Sequence, residues 1–149
     1  MPTVSRQFSV KPPPSQVVEY LKHFENTEEW DPGTQTCTRT SDGQVGEGST
    51  WHNVSKIFGV TAELTYTLEQ LTASRLVFVG DNKSSTSRDT ITVDAAGSGS
   101  VLTYRADLTM KGAAKLLNPV MKLVFEKLAT DTEKQMTTVL NQLTAKQPK

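Results

Sequence analysis

The stretch VTAELTYTLEQL, from Val60 to Leu71, constrains the fold more than any other part of the chain. Val60, Ala62, Leu64, Tyr66 and Leu68 are apolar or aromatic, while Thr61, Glu63, Thr65, Thr67 and Glu69 between them are polar. Side chains alternate faces along a strand, so this is a long strand with one dry face and one wet one. The dry face needs a cover, and the wet face excludes a second layer behind it.

Six further segments read as strands: Thr3–Val10, Thr34–Thr40, Ser49–Phe58, Arg75–Gly80, Ser87–Ala95 and Val101–Met110. Most separators, such as Gly59 or Thr72-Ala73-Ser74, are too short for a parallel crossover, so neighbours pair antiparallel. Between the first two strands, Lys11-Pro12-Pro13-Pro14 stops the ladder and suits a helix start. Val17, Val18, Leu21 and Phe24 then predict a helix over Ser15–Phe24, with a second short turn over Asn26–Trp30 ended by Asp31-Pro32-Gly33. Asn118-Pro119 opens the last element. Leu117, Met121, Val124, Leu128, Met136, Val139 and Leu143 share one face, with Lys122, Glu126, Lys127, Asp131 and Lys134 opposite. That is a long amphipathic helix to about Leu143, ~37 Å at ~1.5 Å per residue, followed by a polar tail expected to fray.

The expected fold is therefore α+β: a seven-stranded curved antiparallel sheet wrapped around a long C-terminal helix, with two short helices between the first and second strands. Such a sheet is ~30 Å wide at ~4.8 Å per strand, and one helix covers only ~10–12 Å. The sheet must curl, and the width left over is either filled by side chains or hollow. The inward positions include polar residues, namely Asn53, Ser55, Tyr66, Asp89 and Tyr104. An unpartnered polar group in a filled core costs ~1–3 kcal/mol, whereas a mostly apolar pocket accepts a few readily.

Composition narrows the function. Sixteen basic and sixteen acidic residues leave no net charge, which argues against nucleic acid as a partner. Cys37 stands alone, fitting a reducing compartment. The N-terminal residues have no apolar h-region and no run is long enough to span a bilayer, so a single cytoplasmic domain over residues 1–149 is expected.

The order of elements resembles the helix-grip fold of the START-like, or Bet v 1-like, superfamily, and more narrowly the bacterial polyketide cyclase/dehydrase-like (SRPBCC) proteins. WDPGTQTCTRTSDGQVGEGSTW, from Trp30 to Trp51, and YRADLTMKG, from Tyr104 to Gly112, carry the resemblance. It covers nearly the whole chain and is specific for fold but weak for chemistry. It implies a hydrophobic cavity for lipids, polyketides or other small apolar molecules.

On this reading the candidate ligand-binding residues are Trp51, Asn53, Ser55, Leu64, Tyr66, Phe78, Asp89, Ile91, Tyr104, Leu108, Met110, Met121 and Phe125. For Met110, Met121 and Phe125 core packing is the commoner fate, with lining of an adaptable pocket as the alternative. Asp89 with Tyr104 is the catalytic candidate, since a carboxylate in an apolar cavity has a raised pKa; solvent, Arg88 or Arg105 offers it a merely structural role. Trp30-Asp31-Pro32 reads as packing plus a turn, with a cavity lid as the alternative. Gly43, Gly46 and Gly48 join two strands and offer no helix N-terminus to an anion. Cys37 reads as a small buried hydrophobe. His23 and His52 face solvent, without partners for a metal, and no cofactor is expected. Lys115, Lys122, Lys127 and Lys134 form a solvated face, with transient contact to an anionic membrane as the alternative. The leading expectation is a binding protein for a small hydrophobic molecule; a polyketide cyclase or dehydratase and a protein-interaction module are the rivals. Monomer and homodimer both remain open.

Overall fold

The computed structural model describes residues 3–57, 59–112 and 118–146; the side chains of 57, 118–121 and 144–146 are left aside. The element order is β1 (Thr3–Val10), α1 (Pro14–Leu21), a 3-10 turn (Phe24–Asn26), α2 (Thr27–Trp30), β2 (Thr34–Arg39), β3 (Thr50–Ile57), β4 (Val60–Leu71), β5 (Arg75–Asp81), β6 (Ser85–Ala96), β7 (Gly99–Met110) and α3 (Asn118–Lys146). All seven strands form one antiparallel sheet in the order β1-β7-β6-β5-β4-β3-β2. This is the expected helix-grip α+β fold.

Strand ends shift from expectation by one or two residues, and two helix boundaries differ more informatively. The first helix stops at Leu21 because His23 turns to ψ 87°. Phe24 then opens a separate turn that drops its ring into the sheet, stacked on Phe78 at 4.2 Å and tilted against Tyr66 at 4.7 Å. Helix α3 runs to Lys146, past the expected end near Leu143. The expected frayed tail falls mainly on residues outside the described set.

Helix α3 runs along β1. Arg6 donates to the Glu126 carbonyl at 3.3 Å and its carboxylate at 3.0 Å, and the Lys11 amide donates to Asn141 at 2.8 Å. Gln135 donates to the Glu29 carbonyl at 2.6 Å, fixing α3 to α2. Met136 and Leu140, both 0% exposed, close one half of the inner sheet face together with Val17, Leu21, Phe24, Leu68, Leu76, Phe78, Ile91 and Leu102. Each such side chain contributes ~1.5–3 kcal/mol of burial. The half nearer the β3–β4 hairpin differs: Ser55, Ala62 and Leu64 keep accessible surface, and Val60 at the start of β4 is 69% exposed, despite its place in the apolar alternation.

Candidate functional site

The inner face carries its polar groups where the register sets them. Tyr66 on β4 pairs with Gly80 on β5, and Gly80 pairs with Ser87 on β6. A Cβ at Gly80 would lie 2.6–2.8 Å from the Tyr66 ring. The ring thus lies flat across β5, possible only over glycine, and this directs its hydroxyl toward β6. Ser87 lies beside it there and also donates to Asp89 Oδ1 at 3.2 Å. Tyr104 on β7 is a second hydroxyl partner of Asp89. Asp89 is 7% exposed. The two arginines expected as possible partners pair elsewhere: Arg88 with Glu69 at 3.0 Å and Arg105 with Asp107 at 3.1 Å.

Beside this cluster runs a second one. A bulge at Gln35 shifts the β2–β3 register, so that Thr34 and Cys37 both face inward. Ser55 donates to Asn53 Oδ1 at 2.6 Å, Asn53 Nδ2 to Thr34 Oγ1 at 3.2 Å, and Thr34 to Asp31 Oδ2 at 2.8 Å. The Gly33 amide reaches Asp31 Oδ1 at 3.0 Å. Asp31 does make the turn, but its carboxyl also faces the interior closely enough for its charge to act on Asp89, Tyr66 and Tyr104. Asp31 thus joins Asp89, the one carboxyl among the residues expected to face inward. The polar residues taken as a sign of hollow space also partner one another, which a filled core would equally allow.

The electrostatics follow from burial. Desolvation, with the Asp31 charge behind it, pushes the Asp89 carboxyl up to about 7, against the lowering pull of Ser87 and Tyr104. Burial likewise raises Asp31, against its bonds to Thr34 and Gly33. Both tyrosines are held well above their usual value by burial and then by the Asp89 charge. The surround is aromatic. Trp30 stands edge-on to Tyr104 at 6.2 Å, and Phe24 stands edge-on to Trp30 at 6.3 Å and Trp51 at 5.8 Å. The Trp30 indole nitrogen is buried without a hydrogen-bond partner. Its ring packs against Tyr104 on β7, one strand in from the β1 edge of the sheet.

The other candidates are spread between the two halves. Trp51, Phe78 and Ile91 sit in the sealed half, with the Trp51 nitrogen on Glu25 at 2.9 Å. Leu108 and Met110 are buried, while Leu64 and Tyr104 keep accessible surface on the inner face. Phe125 packs with Val4, Ala106 and Ala129. Met121 lies outside the described side chains, as does Lys115. Cys37 is buried as expected, and Lys122, Lys127 and Lys134 are exposed. A surface groove of about 450 Å³ opens elsewhere, lined by Pro14, Val18, Glu19, Lys22, Leu71 and Ala73. Its strand residue Leu71 lies in the row of Leu76 and Ile91, two positions along β6 from Asp89.

A curved antiparallel sheet gripping a long C-terminal helix is the START-like, helix-grip fold. The chain belongs to the polyketide cyclase / dehydrase and lipid transport family, whose model matches residues 1–146. Among solved structures it is similar to a START superfamily protein from Mycobacterium smegmatis (14% identity, 95% of this chain and 98% of that chain, TM-score 0.80). It is also similar to a protein from Thermus thermophilus (14% identity, 98% and 100%, TM-score 0.80). A third is the ZhuI aromatase/cyclase from Streptomyces sp. R1128 (12% identity, 95% and 94%, TM-score 0.81). At these identities the likeness is one of fold. Comparison with curated protein sequences gives no match. Among the described residues, no helix is long and apolar enough to cross a membrane.

Proposed function

We propose that this protein binds a small hydrophobic molecule between the inner sheet face and α3, with Tyr66, Asp89 and Tyr104 orienting its polar end. One observation carries the reading: Asp89 is enclosed among aromatic rings without a basic partner among the described residues, next to inner-face residues that keep accessible surface. A carboxyl held that way is costly in a purely structural role and useful in recognition. Apolar burial supplies affinity at ~25 cal/mol per Å², and the polar cluster fixes the pose. Native mass spectrometry of freshly purified protein tests it. The expected spectrum shows a co-purified organic molecule released on denaturation. A bare chain that also takes up no apolar probe would overturn it.

A second reading, an aromatic cyclase or dehydratase, is favoured by the carboxyl pair. Asp89, with its pKa near 7, suits general acid–base work at neutral pH, and phenols beside it suit an enolate oxygen. One of the structures similar in fold is itself an aromatase/cyclase. Asp89→Asn and Tyr104→Phe separate the two readings: an enzyme loses turnover while it still binds, and a carrier changes only in affinity.

A further inference from the structure

We infer that the guest carries a protonated amine, or an equivalent cationic nitrogen, at its polar end. This rests on the binding reading above and narrows it. Hydrogen-bond accounting carries it. Ser87 spends its hydroxyl proton on Asp89, Thr34 on Asp31, and Ser55 on Asn53. The Tyr104 hydroxyl faces Asp89, and Ser87 also lies against the Tyr66 phenol. The hydroxyl protons of Ser87, Thr34, Ser55 and Tyr104 are therefore committed within the cluster. With the two carboxyls ionised, the state a cation would favour, what the cluster offers a guest is chiefly lone pairs.

No cation of the chain answers them among the described residues. Arg88, Arg105 and Lys111 pair with Glu69, Asp107 and Asp81. Arg39, on the row of Trp51, gives one guanidinium nitrogen to the Asp42 carbonyl at 3.3 Å, while its Nε is buried without a hydrogen-bond partner and forms no ion pair with either carboxyl. The Trp30 and Tyr104 rings, edge-on to each other at 6.2 Å, border the cluster and are of the kind that favours a cation. A separate sign that an outside atom completes this region is the Trp30 N–H, whose residue is 1% exposed and whose donor is unused. It fits an acceptor, a hydroxyl or carbonyl, near the guest's nitrogen. Burial raises both carboxyls, and a cation would relieve that strain.

The test is calorimetric titration with three probes that share one ring body: naphthalen-2-ylmethanamine, naphthalen-2-ylmethanol and 2-naphthoate. The amine should bind at least about tenfold more tightly than the alcohol, the ordinary scale of a charge-assisted hydrogen bond, and the carboxylate most weakly. In Asp89→Asn the amine and alcohol should converge, and Asp31→Asn should narrow the gap. If Asp31→Asn unfolds through loss of its turn, Asp89→Asn decides alone. Alcohol binding without an amine advantage, an advantage that survives Asp89→Asn, or a preference for naphthoate overturns the amine inference and leaves the binding reading standing. Failure of all three probes overturns both.

Discussion

Replacing Asp89 by asparagine should make the protein more stable above neutral pH and leave it little changed in acid. In the unfolded chain this carboxyl titrates near ~3.9; in the folded protein it is held up to about 7. An acid whose pKa is raised by folding binds its proton more tightly in the native state. Its stabilisation is complete below ~4 and is lost as pH climbs through about 7. About three pKa units at ~1.36 kcal/mol each set a ceiling of roughly 4 kcal/mol. Relaxation of the surround lowers this to roughly 2–4 kcal/mol. Asparagine has no such titration, and its carbonyl still accepts from Ser87; a poorly placed amide costs ~1 kcal/mol at every pH. Relative to wild type, the variant should therefore gain roughly 2–4 kcal/mol between about pH 4.5 and 8, or ~5–15 °C in Tm for a chain of this size. Thermal unfolding followed by circular dichroism across that range measures it. Curves for the two proteins that run parallel with pH would refute the reasoning, since Asp89 would then titrate as a solvated carboxyl.

Other consequences follow from the same geometry. Gly80→Ala drives a methyl carbon into the Tyr66 ring, within 2.6 Å of its nearest atom, so it should cost ~1–3 kcal/mol and weaken probe binding; denaturant midpoints and calorimetry check both, and unchanged values would show that the ring yields freely. Tyr104→Phe removes a bond that favours the Asp89 anion, so the Asp89 pKa should rise above about 7; carbon-detected NMR titration of that carboxyl reads it, and a fall would contradict the assignment. Arg6→Ala severs the bonds from β1 to Glu126 and Thr130, costing ~1 kcal/mol. Amide hydrogen exchange should quicken around residues 126–133 of α3 and hardly at all around Met136–Leu140.

Much of this fold is legible in the sequence because the alternation of Val60–Leu71 and its neighbours leaves only one face to cover. Polar, glycine and proline separators then mark the strand ends closely. The long terminal helix follows from periodicity alone. Less of the candidate site is legible. Asp89, Tyr66 and Tyr104 can be picked out by strand phase, but their meeting depends on register: Gly80 and Ser87 become part of the site only once they are known to lie opposite Tyr66. A glycine inside an otherwise apolar strand, LVFVGD, is the signal that was available for this close approach. Asp31 is hidden for a different reason. Asp-Pro already has a sufficient explanation as a turn, and nothing local says that the same carboxyl faces inward. Thr34 depends on a bulge, which no alternation pattern reveals.

The central claim is that a guest sits on the inner face beneath α3. Amide chemical-shift mapping with naphthalen-2-ylmethanol tests it most directly. Saturable shifts confined to Leu64, Tyr66, Ser87, Asp89, Tyr104 and Leu108 are the predicted result. Shifts gathered instead around Val18, Leu71 and Ala73, or no saturable shifts at any site, would contradict it.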